Sequence, residues 1–322
     1  MTYRQAIALA LEDELSSDAS VVLIGEDVGR AGGVFKTSEG LFDRFGPQRI
    51  IDTPICENGF LGVALGMAVT GMRPVVEIMF SDFLPTAGDG IVNELPKFRF
   101  MSGGQCNVPV TIRSIGGGGG RFGTQHSATG ESWFLQLPGL KIATLGSPAT
   151  AYGVLRSAIR DNDPVLMFEH KSLYNRKGMV GRGESAIPRV GKALVARDGS
   201  DVTVVATMLM FDRALSAAEQ LAGEGLSVEV IDAIWLRPFD LATISESLAK
   251  TGRLVVVAEE VHHGSWGASL ISQLAMEGCS WRTPPRSVHL REDVLIPYSP
   301  TLEDAVIPSV DRIVDAVRAA CR

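Results

Sequence analysis

Short, wholly apolar runs alternating with helical patterns constrain this chain more than any single motif. VVLIG, RIID, PVVEIMF, VPVTIRSI, LKIATLG and PVLMFEH are separated by segments of helical period, among them Tyr3 to Leu15, SEGLFDRFG, ENGFLGVALGMAVTG, a stretch running to about Met101, and ATAYGVLRSAIRD. Strands that are apolar on both faces need helices on both sides, so the pattern predicts a covered parallel sheet. It breaks between Lys171 and Arg189, where KSLYNRKGMVGRGESAIPR carries glycine and charge without either period. It then resumes with DVTVVAT, FDRALSAAEQLAGEG, LSVEVIDA, DLATISESLAKTG, RLVVVAEE and a helix from about Ser265 to Glu277. The expectation is two α/β domains, residues 1–175 and a smaller 191–322, joined by a linker over 176–190. A length of 322 residues suits two cores.

A net charge of −7 lacks the surplus of Lys and Arg that phosphate backbones demand, so no nucleic acid is expected. No apolar run approaches the roughly 18–20 residues of a membrane span, and Glu12, Asp13 and Glu14 interrupt the first apolar stretch. No signal peptide, anchor or membrane contact is expected. Cys56, Cys106, Cys279 and Cys321 are scattered without C-x-x-C pairs, which fits a reducing, cytoplasmic setting rather than zinc or a dithiol. Paired catalytic carboxylates, a G-x-S-x-G elbow and H-E-x-x-H are all missing. An organic cofactor becomes the more attractive chemistry.

Glu57 lies where RIIDTP gives way to a helix, and the C-terminal end of a parallel strand is where α/β proteins collect ligands. Position alone leaves two readings open: a functional carboxylate, or one that complements the helix dipole. Gly59, Gly62 and Gly66 line one face of that helix at about 1 kcal/mol each relative to alanine, which implies close approach of another helix or of a cofactor. Gly118, Gly120 and Gly123 satisfy G-x-G-x-x-G, yet no helix pattern and no acidic residue follow at the distances a dinucleotide site needs. The run reads instead as a flexible loop that brings backbone close to a ligand and presents Gln125, His126 and Ser127. His126 on this loop is a candidate proton carrier, with an incidental loop histidine as the equal alternative. His262 and His263 read as turn residues, His170 and His289 as structural.

RIIDTPICENGFLGVALGMAVTGMRPVVEIMFSDF, VTIRS, QHS, PGLKI, AIRDNDPV, LRPFD and TGRLVVVAEE, in this order, resemble the β subunit of the heteromeric, thiamine-diphosphate-dependent 2-oxoacid dehydrogenases. That family acts on pyruvate, branched-chain oxoacids or acetoin. The likeness spans nearly the whole chain, and D-T-P-I-x-E-x-G-F is its most specific piece. It implies a transketolase-like fold, with a parallel-sheet pyrimidine-binding domain followed by a smaller transketolase C-terminal domain. It implies that Glu57 hydrogen-bonds the aminopyrimidine of thiamine diphosphate and promotes its imino tautomer, with burial raising the carboxyl pKa. His126 would move a proton or help pass the acyl group to a lipoyl arm, and Met79 and Phe83 would pack on the aminopyrimidine. Backbone oxygens of Val110, Ala158, Ile159 and Asp161, with Asp163, match a structural potassium site. The resemblance also implies an α subunit that holds the diphosphate and its magnesium, a two-α two-β heterotetramer, a lipoyl-bearing acyltransferase core and a small 2-oxoacid substrate.

Three departures accompany it: Asp163 replaces an asparagine, GDGIVNELPKFRF replaces D-Q-I-x-N-x-A-A-K, and AEEVHHGSWGAS lacks P-x-G-G. Two rivals remain at this level. One is the C-terminal half of a split transketolase or deoxyxylulose-phosphate synthase, whose G-I-A-E-Q is replaced here by TPICEN. The other is a non-catalytic scaffold subunit.

Overall fold

The computed structural model describes residues 1–291 and 294–322. The first half runs α1 (Tyr3–Ser17), β1 (Val21–Gly25), α2 (Leu41–Phe45), β2 (Ile50–Asp52), α3 (Glu57–Val69), β3 (Arg73–Ile78), α4 (Leu95–Met101), β4 (Thr111–Gly116), β5 (Lys141–Thr144), α5 (Pro148–Ile159) and β6 (Val165–His170). Its strands pair in the order β5-β6-β4-β3-β1-β2, every pair parallel. All residues of β1, β4 and β6 are buried, as strands covered on both faces must be. The helix starts follow local chemistry. Thr2 and Gln5 form a capping box for α1, and Ser147 with Thr150, ahead of Pro148, does the same for α5. These two helices pack together and share the buried Arg156–Glu14 pair at 2.7 Å.

The second half runs β7 (Leu194–Arg197), β8 (Val202–Ala206), α6 (Met208–Ala222), β9 (Val228–Asp232), β10 (Trp235–Arg237), α7 (Leu241–Thr251), β11 (Leu254–Val257), α8 (Trp266–Met276), β12 (Arg286–Val288), α9 (Pro300–Val306) and α10 (Val310–Cys321). Four strands form the parallel order β12-β11-β8-β9, and β7 closes the edge antiparallel. The remaining strand, β10, leaves this sheet. It pairs antiparallel with β5 and becomes the seventh strand of the first sheet, so the two halves share a sheet as well as a linker. The larger apolar core accordingly crosses the boundary, with Trp235, Ile231, Val205 and Trp266 packed in the cluster that holds β1, β3, β4 and β6.

The stretch expected as one helix up to Met101 is broken into a 3-10 turn (Ser81–Ala87), a π turn (Gly90–Glu94) and α4. Pro85 and Pro96 each withhold an amide from the helical ladder. A Cβ on Gly90 would lie 2.7 Å from Leu61 Cδ2, so glycine here lets the segment rest directly on α3.

Candidate active site

Glu57, Met79, Phe83 and His126 gather at the C-terminal edge of the first sheet, whereas Val110, Ala158, Ile159, Asp161 and Asp163 lie at its other edge, ahead of β4 and β6. Glu57 follows β2 as the first residue of α3 and is 9% exposed; Cys56 before it makes no side-chain cap bond, so the uncapped first turn presents its positive end to the carboxylate. Glu26, the residue after β1, faces the same place. Its carboxyl is held above the usual range by burial and then by the negative charges of Glu57 and Asp27. Its Oε1 is buried with no hydrogen-bond partner. A carboxyl pair with an unsatisfied acceptor fits a ligand edge that brings nitrogen donors, as an aminopyrimidine would.

Met79 precedes the turn that leaves β3 and Phe83 lies within it, and both are half-buried. This turn packs against α3 on one side and against the His126 turn on the other. The His126 ring meets Phe80 edge-on at 4.8 Å and Phe83 at 5.5 Å between centroids. Phe83 and His126 are thus brought together directly, while Glu57 reaches them through the shared turn. Asp82 accepts a hydrogen bond from the Ala128 amide at 3.2 Å, and burial pushes its carboxyl up. Ser127 Oγ is buried without a partner. Lys171, just after β6, donates from Nζ to the His126 carbonyl.

The glycine run is clamped rather than slack, which corrects the expected flexible loop. The Gly118 amide donates to Glu259 Oε1 at 2.5 Å and the Gly119 amide to Glu303 Oε1 at 2.8 Å. Both carboxylates come from the second half of the chain. Glu259 also pairs with His170 Nε2 at 3.0 Å, and these contacts hold its carboxyl below the usual range despite burial. Gly117 sits at φ +83°, and a Cβ there would lie 1.9 Å from His170 Nε2. These glycines admit the chain's own side chains. Beneath the site, fully buried Arg113 bridges Glu77 and Glu169 at 2.6 Å each, and the Tyr174 hydroxyl donates to Glu169 at 2.9 Å. One guanidinium thus locks β3, β4 and β6 at the level from which the site loops depart.

The oxygens matched to a potassium site already have donors from this chain. Arg73 donates to the carbonyls of Ile159 (3.1 Å) and Asp161 (2.9 Å). The Val110 carbonyl accepts from Val165, and the Ala158 carbonyl from Asp161. Lys141 Nζ binds the Asp161 carboxylate at 2.7 Å and Asp163 at 3.0 Å, with Arg99 on Asp163 at 2.5 Å. Three side-chain cations stand around this corner.

A cavity of about 780 Å³ lies between Leu95–Gly104 and Pro138–Pro164, and Glu57 does not line it. One of about 490 Å³ borders Thr124, Ser127 and Ala128 on the side facing Glu259 and Glu260. Along α3 a small cavity of about 120 Å³ lies beside Gly62 and Gly90.

Residues 1–177 match the transketolase pyrimidine-binding domain model and residues 191–313 the transketolase C-terminal domain model. The chain is 41% identical to the rice mitochondrial pyruvate dehydrogenase E1 component subunit β-2, covering 100% of this chain and 86% of the relative. It is 39% identical to the 2-oxoisovalerate dehydrogenase subunit β of Bacillus subtilis, covering 99% and 98%. The chain belongs to the E1 β-subunit family of 2-oxoacid dehydrogenases. That family includes the acetoin:2,6-dichlorophenolindophenol oxidoreductase subunit β of Cupriavidus necator, 41% identical over 99% of this chain and 96% of the relative. The fold is also that of a split-gene transketolase solved as an inactive β4 tetramer, with TM-score 0.80 and 24% identity over 100% and 98% of the two chains. Glu26 and Lys171 stand beside these candidate residues and are not singled out from the sequence. Their one signal is a charged residue directly after a buried strand, in VVLIGE and PVLMFEHK.

Proposed function

We propose that this chain supplies the aminopyrimidine-facing half of a thiamine-diphosphate site in an oxidative 2-oxoacid decarboxylase, acting on pyruvate, a branched-chain oxoacid or acetoin. The observation that carries the reading is the Glu57–Glu26 carboxyl pair at the head of α3, with its unpartnered buried oxygen, on the same edge as Phe83 and His126. Thiamine diphosphate would supply an acidic carbon and an electron sink. Glu57 would hydrogen-bond the aminopyrimidine edge with the Glu26 carboxyl beside it, and Phe83 and Met79 would wall the ring. His126 would carry a proton to or from the substrate oxygen or the acyl acceptor.

The second half of the site belongs to another chain. Gly62 and Gly66 are exposed on α3, and a Cβ on either would meet nothing within 4 Å. That open glycine face, with Val63 half-exposed beside it, suits the close approach of an α-subunit helix. We assign the diphosphate and magnesium to that subunit, the assembly to a two-α two-β heterotetramer, and the acyl product to a lipoyl-bearing acyltransferase core. The corner around Asp161 and Asp163 is read as a charge cluster satisfied by Arg73, Arg99 and Lys141, in which a potassium ion would share lone pairs rather than find free ones. Among the described residues no helix is long and apolar enough to cross a membrane.

Reconstitution with the α subunit tests this. Glu57→Ala should lower cofactor-dependent decarboxylation, read with an artificial electron acceptor, by about 10²–10⁴-fold. Retained turnover would remove Glu57 from the role. A panel of pyruvate, 2-oxoisovalerate and acetoin identifies the substrate, and sugar-phosphate transfer without oxoacid turnover would favour the split-transketolase reading instead.

A further inference from the structure

Lys171 is 7% exposed, and its ammonium has no described ion pair. It lies over the rings of Phe80 (5.7 Å) and Phe122 (5.3 Å) and donates to the backbone carbonyl of His126. Three carboxylates act on it from a distance, and each is committed elsewhere. Glu259, at the end of β11, holds the Gly118 amide and His170. Asp82, in the turn after β3, holds the Ala128 amide, while Glu303 of α9 holds the Gly119 amide and Arg121. Burial outweighs all three and brings the ammonium down to about 8.

A buried cation with only a carbonyl and two ring faces is a costly way to stabilise a fold, since an apolar side chain of the same length would fill the space without desolvation. The arrangement has a pattern, however. Glu259, Glu303, Asp82 and Lys171 together grip Gly118, Gly119, Arg121, His126 and Ala128, and the Lys171 grip is the one on His126 itself. We propose that Lys171 is a positioning residue for His126, fixing the loop by its backbone carbonyl so that the imidazole stands against the edges of Phe80 and Phe83, and that this requires the positive charge. The inference rests on the reading of His126 as the proton carrier.

The test compares wild type, Lys171→Met and Lys171→Arg in the assembled complex with the α subunit. Amide hydrogen exchange of residues 117–128 is read first and needs no turnover. Lys171→Met should speed exchange there by about tenfold while residues 165–170 stay protected. In the oxoacid assay the same variant should lower kcat by about 10–100-fold with KM within about twofold, and Lys171→Arg should restore both. Wild-type kcat should fall as pH rises through about 8, and the arginine variant, which keeps its charge, should lose that limb. Unchanged exchange and kcat in Lys171→Met, or an arginine variant as impaired as the methionine one, overturns the proposal. Absence of oxoacid turnover in the wild type, with the exchange effect intact, would instead contradict the functional reading and leave the loop assignment standing.

Discussion

A Cβ on Gly117, Gly118 or Gly119 would lie 1.9 Å from His170, 2.4 Å from Ile307 or 2.7 Å from Ser172, whereas a Cβ on Gly62 or Gly66 would meet nothing within 4 Å. In sequence the two sets look alike. In the fold, the first is consumed by the chain's own packing, against both halves, and the second is left facing outward on the helix that begins with Glu57. Glycine thus has an internal neighbour in one place, and in the other it leaves open the space that the proposed function assigns to a different chain.

The inward set should be the less forgiving. Gly117→Ala adds a side chain at φ +83° against His170, so thermal unfolding should report a loss of about 3 kcal/mol or more, together with loss of turnover in the complex. A loss below about 0.5 kcal/mol would mean that the loop yields and the contrast is false. A smaller effect probes another inward glycine. A Cβ on Gly146 would lie 2.6 Å from Asp232 Oδ2, and burial brings this carboxyl up to about 7 from 3.8. Between those pH values the folded chain holds a proton that the unfolded chain has released, so Asp232 lowers stability progressively as pH rises from about 4 to 7, with the full penalty above 7. Asp232→Asn should therefore stabilise the fold at pH 8, by no more than about 4 kcal/mol, and do almost nothing at pH 4. Equal effects at both pH values would show that burial does not hold the proton.

Much of the fold is legible in the sequence, because wholly buried parallel strands and amphipathic helices leave local periodicity that needs no knowledge of distant partners. VVLIG, VTIRSIG and PVLMFEH are strands for that reason, and the placement of Glu57 at the start of a helix follows from RIID giving way to ENGFLGVALGMAV. What escapes is long-range. The three residues of β10 join a sheet belonging to the other half, and nothing local in WLR says which sheet. The glycine run reads as slack because its fillers, Glu259, Glu303 and Ile307, lie about 140–190 positions away. Lys171 resembles the first residue of a charged linker, and only the tertiary fold buries it against His126. The break at 81–101 is half legible: Pro85 and Pro96 announce an interruption, but the π turn depends on Leu61 receiving Gly90.

The central claim is that α3 presents half a cofactor site outward through its glycine face. Calorimetric titration of thiamine diphosphate with magnesium into this chain, the α subunit, their mixture, and the mixture carrying Gly62→Leu and Gly66→Leu tests it most directly. Saturable binding should appear with the wild-type mixture and vanish in the leucine mixture, while the variant chain itself unfolds no lower than wild type, since neither position touches its own fold and leucine favours the helix over glycine. Full-affinity binding to this chain alone, or wild-type binding in the leucine mixture, would contradict it.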